Sequence, residues 1–162
     1  VLDSLHYDFK TFALDHFVQH LEIQRRRDII RVPYDFKPGL TGLWIPAETA
    51  DYIFYARSTD PVHQVHIILH EIAHMLLHHP CQRIDQILPS SVIRSLQLSD
   101  EVLARSALTA GSNQVEQEAE GFVYLVQQQL VDARRLSQLT NGQSSIDGLK
   151  HFTDSLGLLG NS

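Results

Sequence analysis

The sequence predicts a mainly helical α+β domain in which an N-terminal helix and a small β-sheet precede a long central helix that packs against a later one. Three observations predict it. Apolar residues recur at helical spacing near the start of the chain, across residues 61–79 and again beyond residue 113. Prolines and glycines punctuate residues 29–50 around short β-prone runs. From Pro61 to His79 no residue interrupts a helix.

The first helix is expected from Asp8 to about Arg27, because Phe9, Phe12, Ala13, Phe17, Leu21 and Ile23 fall mostly on one face. Pro33, Pro38, Gly39, Gly42 and Pro46 exclude a helix from the next stretch, and the runs Ile29–Val32, Leu43–Ile45 and Tyr52–Tyr55 read as short strands. Asp60-Pro61 supplies a capping side chain and a first-turn proline, and the helix it opens should reach Pro80. Residues 81–111 are mixed, with a short helix expected at Pro89-Ser90-Ser91. Gly111-Ser112-Asn113 provides a stop and a new cap, so a last long helix is expected from about Asn113 to Leu130. The tail beyond it holds Asn141-Gly142, Gly148, Gly157 and Gly160, with room for one weak helix.

Composition bounds the function classes. A chain of 162 residues suits a single domain with its own core, here residues 1–162, without metal or disulfides needed for folding. The first residue is Val1 and Met75 is the single methionine, so the natural start is expected upstream. No apolar run approaches the roughly 20 residues of a membrane span, and no secretory leader is recognisable. One cysteine, Cys81, fits a reducing cytoplasm. The net charge of −6 argues against a nucleic-acid surface. Arg25-Arg26-Arg27 is the exception, and its place near a helix end, between Glu22 and Asp28, reads as cations favouring the helix dipole.

Chemistry concentrates in His70-Glu71-Ile72-Ala73-His74, an H-E-x-x-H pattern. Two imidazoles four residues apart project from adjacent turns of one helix face and can share a metal ion. Glu71 lies about 100° around the helix from His70 and about 60° from His74, where a general base for water belongs. Val65, Ile68, Leu69, Ile72 and Leu76 form the core stripe of the same helix. Ile67 shares the histidine side, so that side should line a cleft.

A catalytic zinc site takes three protein ligands as a rule. The expected source of the third is Glu116-Gln117-Glu118-Ala119-Glu120. Glu116 and Glu120 share a helix face beside the apolar stripe Val115, Ala119, Phe122, Val123, Val126 and Leu130, whereas Glu118 points about 160–200° away and should be solvated. Glu116 is assigned as the ligand and Glu120 as the carboxylate that orients a ligating histidine through its other ring nitrogen; the reverse assignment stays open. His66 and His78 continue the four-residue series but drift about 40° per step off the metal direction. His78 and His79 are expected at the helix C-terminus as partly cationic rings, and His6, His16, His20, His63 and His151 have no metal spacing.

These segments, His70-Glu71-Ile72-Ala73-His74-Met75-Leu76-Leu77-His78-His79 and Glu116-Gln117-Glu118-Ala119-Glu120-Gly121-Phe122-Val123, resemble the ImmA/IrrE family of metallopeptidases, of the gluzincin group, most clearly over residues 60–130. In that family the third ligand looks like the first acidic residue of an E-x-x-A segment, here Glu116, with Glu120 at a supporting position. The resemblance implies cleavage of a protein substrate, for which the family suggests a helix-turn-helix transcriptional repressor. The chain departs from the pattern in the 41 residues between His74 and Glu116, in Val123 where alanine is common, and in having no helix-turn-helix module of its own.

The expected activity is therefore zinc-dependent (Zn2+) hydrolysis of a peptide bond, with His70, His74 and Glu116 holding the ion and Glu71 as general base. Tyr52, Tyr55 and Tyr124 remain open as the further donor to the oxyanion. A cytoplasmic protein with no membrane or direct nucleic-acid contact is expected. The alternative is a metal-containing regulatory protein that docks to a transcription factor or toxin partner with little or no proteolysis.

Overall fold

The computed structural model describes residues 1–108 and 111–141, and the tail from Gly142 onward, with its expected weak helix, lies outside them. Two 3₁₀ turns, Asp3–Leu5 and Phe9–Thr11, precede the first helix, α1, at Leu14–Arg25. The helix thus starts at Leu14 and not at Asp8. The Asp8 carboxylate caps the second turn by accepting the Lys10 N–H, and Phe12 and Ala13 then run extended. That break turns Phe12 inward, where it is 1% exposed and packs with Phe17 and Tyr7, a contact a continuous helix could not give both phenylalanines.

Helix α1 closes in a left-handed residue, Arg26, with φ 52°; the Arg27 N–H donates to Glu22 O at 3.1 Å and the Arg26 N–H to Ile23 O at 3.3 Å. This Schellman turn satisfies carbonyls left open at the helix end. It also aims Arg25 and Arg27 at Asp51, which is 1% exposed and accepts from them at 2.6 and 2.9 Å. The arginine triplet is therefore more than a dipole effect, because two of its members hold a buried carboxylate.

Three strands follow, β1 at Asp28–Tyr34, β2 at Gly42–Pro46 and β3 at Ala50–Ala56. Their order is β1-β3-β2, with β1 parallel and β2 antiparallel to β3. Alternating side chains serve two cores. Ile29, Trp44 and Ile53 join the larger one with α1 and the two long helices, α2 at Pro61–Leu76 and α6 at Asn113–Asn141. Leu43, Ile45 and Phe54 face the other way, onto Cys81, Ile84, Leu88 and Leu96. Those last residues belong to the stretch that leads through α3 (Ile84–Ile87), α4 (Ser90–Ser95) and α5 (Asp100–Leu108). Of these helices the sequence suggests α4 alone. The long segment between the two motifs thus covers the second face of the sheet, and the chain is α+β and mainly helical, as expected.

Helix α2 is capped by Asp60, whose Oδ1 accepts the His63 N–H at 3.1 Å. It ends before Pro80 is reached, at Leu76, because His78 adopts φ 54° and forms a second Schellman turn. Helix α6 extends past Leu130 to Asn141. The two helices pack through Ile72, Ala73, Ala119, Phe122, Val123 and Val126, all at most 4% exposed, and this contact brings the two motifs together.

Candidate metal centre

The H-E-x-x-H helix and the acidic helix converge as their spacing implies. His70 Nε2 lies 3.0 Å from His74 Nε2 and 3.1 Å from Glu116 Oε2, and His74 Nε2 lies 3.8 Å from Glu116 Oε1. One ligand atom from each of the three residues falls within 4.8 Å of the others, and the group could hold a metal ion. Both Nε2 atoms point into this group. With their lone pairs left for an ion, the ring protons belong on Nδ1.

Each Nδ1 has a partner. His70 Nδ1–H donates to Glu120 Oε1 at 2.9 Å, and the same oxygen lies 3.3 Å from His66 Nε2. Glu120 thus holds the His70 ring through Nδ1, the contact its expected supporting place calls for. His66, set aside as drifting off the metal direction, reaches the centre one step out, through that carboxylate.

The other supporting chain corrects the sequence reading. His74 Nδ1–H donates to His79 Nδ1 at 3.0 Å, and His79 Nε2–H donates to Glu118 Oε2 at 3.0 Å. Glu118 is half-exposed, but its carboxylate is engaged and not simply solvated, and it also accepts from Gln114 Nε2 at 2.9 Å. Those two bonds, that from Gln114 first, hold the Glu118 carboxyl below its ordinary pKa. His79 is 7% exposed and follows the helix rather than ending it.

Two local facts explain the difference. Ala119, fully buried, marks the centre of the packed face of α6, so Glu116 and Glu120 flank it on one side and Glu118 on the other. The Schellman turn after α2 then carries the chain round to that second flank: the His79 N–H donates to His74 O at 3.0 Å and the His78 N–H to Met75 O at 3.4 Å. The turn fixes the His79 ring against His74. No periodicity rule reveals it, since it depends on a non-glycine residue in the left-handed region.

Burial sets the charge states. His74, 5% exposed, is lowered to a pKa of about 4, chiefly by desolvation and then by His70, so its ring is neutral near pH 7. Glu71, 6% exposed, is raised to about 8, first by desolvation and then by the Glu116 charge, against a backbone hydrogen bond with Trp44 that lowers it. Cys81 is pushed up to about 12, mainly by burial, and its thiol donates to Trp44 O at 3.2 Å. It is a packed residue.

Glu71 is held by β2. Gly42 lies so close to α2 that a Cβ there would collide with the Glu71 carboxylate and approach Ile67 Cγ2 to 2.8 Å, so any larger residue would force Glu71, Ile67 or the strand to shift. Gly42, Ile67, Glu71, His70 and Glu116 line one cleft of about 430 Å³, closed at the strand end by residues 39–41. Ile67, 3% exposed, sits in this wall as its place on the histidine side suggests. Thr41 O and Ala47 N bond toward β3, so the backbone of the alternating residues Gly42 and Trp44 faces away from β3, where that of Trp44 meets Glu71 and the Cys81 thiol. Tyr52, Tyr55 and Tyr124 do not line the cleft, which leaves no tyrosine of the three at the reacting position.

Among the described residues no helix is long and apolar enough to cross a membrane. Comparison of the chain with models of known protein families, with curated proteins and with solved structures found no match in any of the three.

Proposed function

We propose that the chain is a zinc-dependent endopeptidase with Glu71 as its general base. The observation that carries the reading is the convergence of His70 Nε2, His74 Nε2 and a Glu116 oxygen beside a buried carboxylate in an open cleft. Zinc bonds of about 2.0–2.2 Å place tetrahedral ligand atoms about 3.3–3.6 Å apart; the two Nε2 atoms are 3.0 Å apart and His70 Nε2 is 3.1 Å from Glu116 Oε2, close to that edge, while His74 Nε2 is 3.8 Å from the other oxygen, Oε1. Two imidazoles and one carboxylate are a zinc-type donor set with one position to spare.

When bound, the ion supplies Lewis acidity, polarising a scissile carbonyl and making water a better acid. The protein's own residues do the rest. Glu71 takes a proton from the attacking water as its oxygen adds to the carbonyl carbon, and returns that proton to the nitrogen as the C–N bond breaks. A cation beside Glu71 opposes the desolvation that raises its pKa, which favours the ionised form needed for the first of these transfers. Glu120 fixes the His70 ring, and the His79–Glu118 pair fixes that of His74.

The family resemblance supplies the substrate class, a helix-turn-helix repressor. The test is to purify the protein without chelator, measure zinc by elemental analysis, and incubate it with the product of a neighbouring regulator gene. One equivalent of zinc and discrete fragments are expected, with zinc kept and fragments lost in Glu71→Gln. An intact complex without fragments would favour docking, and undiminished cleavage by Glu71→Gln would remove the general base.

A further inference from the structure

Behind the metal centre, on the far side of His79, lies a second cavity of about 590 Å³. Its size falls within the range of small-molecule sites. The floor is made by the Trp44 indole, Met75 and the His78-His79 turn, and the rim by Arg25, Arg27 and Arg105. Within the cavity wall Asp51 opposes two of these guanidiniums, Arg25 and Arg27. Asp51 accepts from Arg25 Nη1, Arg27 Nε and Trp44 Nε1 at 2.6, 2.9 and 3.0 Å.

The charge arithmetic selects the ligand. A single carboxylate neutralises one guanidinium, so the Arg25–Asp51–Arg27 group keeps a net positive charge. These side chains are only 23% and 26% exposed, and a cation so placed gains from an anion supplied by a ligand. Arg27 is committed, since it also donates to the carbonyls of Ala47, Glu48 and Ala50. Arg25 spends Nη1 on Asp51 and Met75 Sδ, which leaves the rest of its fork for a carboxylate. Arg105 stands at the mouth, paired with Glu101 on the exposed side of α5. Pro46, Pro80, Val102 and Leu108 line the cavity beside the Trp44 indole, and this apolar wall favours a flat hydrocarbon body below the charged end.

We propose that this cavity binds a small organic anion, a carboxylate carried on a planar apolar body. Its wall includes His79, so an occupant touches the ring that supports His74. The assignment does not depend on the zinc reading and is tested on metal-free protein.

Trp44 is the only tryptophan, so its indole N–H gives one resonance that reports from the cavity itself. Titrating 2-naphthoate should move that resonance saturably, with half-saturation at about 1 mM or tighter for a ligand of this size. The neutral analogue 2-naphthylmethanol should bind at least tenfold more weakly. Arg25→Gln should weaken naphthoate about tenfold. Because that change also strips Asp51 of a partner, Arg105→Gln at the exposed rim serves as the second variant, with an expected loss of several-fold and an unchanged fold. An indole resonance that does not move, equal binding of the alcohol, or full affinity in Arg105→Gln would each overturn the assignment.

Discussion

Glu71 and His74 carry the largest displacements of pKa in the cleft, in opposite senses, and this makes the metal-free protein sensitive to pH in two ways. Glu71 is raised from 4.5 to about 8, so the folded state disfavours its ionisation; stability from this group is intact below pH 4.5 and lost as pH climbs toward 8. His74 is lowered from 6.5 to about 4, so its contribution is intact above pH 6.5 and lost as pH falls toward 4. Glu71→Gln removes only the first. Urea unfolding of chelated protein should find the variant more stable than the parent at pH 8, by as much as ~5 kcal/mol at ~1.4 kcal/mol per pH unit, with the gap closing by pH 4.5. A gap independent of pH would mean that another group carries the titration. His79 offers a separate test. Its ring orients His74 and passes a hydrogen bond to Glu118, so His79→Ala should weaken zinc binding ~10–100-fold in competition with a chromogenic chelator. His79→Asn, whose amide oxygen can take the place of Nδ1, should recover most of the loss. Parental affinity in the alanine variant would show that the chain through Glu118 is idle.

Helices and strands place these side chains, and their legibility in sequence varied with the kind of signal. Periodicity and capping gave α2 from Asp60-Pro61 and the face of α6 that carries Glu116, because spacing of 3.6 residues fixes which side chains share a face whatever surrounds them. The three strands were legible from their punctuation, to within a few residues at each end. Three features were not. The late start of α1 depends on where Phe12 finds its core; α3 and α5 follow from the need to cover the second face of the sheet; and the His79–Glu118 pair follows from a left-handed turn at His78. All three are tertiary outcomes that no local pattern encodes. Gly42 belongs with them, since its glycine reads from sequence as a breaker while its role is to let β2 pass within van der Waals reach of α2. Gly42→Ala should displace Glu71 or the strand without touching a ligand. The expected result is a fall in kcat of ~10–100-fold, since displacements near 1 Å carry such costs, with zinc affinity within about twofold of the parent. Loss of zinc together with activity would show that β2 supports the ligands and not the base alone.

Of the three residues that could hold a metal ion, two stand on α2 and the third on α6, so a bound ion would tie together helices whose contact also forms the centre of the larger core. The sheet and α1 meet that core from the other side, where Asp51 joins the end of α1 to Trp44 of β2. With some twenty buried residues in this core alone, folding is expected without the ion, and an ion bound to the folded state would add to its stability by mass action. At free zinc a hundredfold above Kd the gain is about 2.7 kcal/mol. For a chain of this length, at roughly 2–4 °C per kcal/mol, that raises Tm by about 5–11 °C. Thermal unfolding of chelated protein, with and without zinc added back, measures it directly. Glu116→Gln separates a three-ligand centre from a two-histidine one, because it removes the only contribution from α6 while the apolar contact between the helices is untouched. The variant should lose most of the zinc-dependent rise while its metal-free Tm stays near that of the parent. If zinc raised its Tm as far as it raises the parent's, Glu116 would not be a ligand, and the convergence of the two helices would serve packing alone.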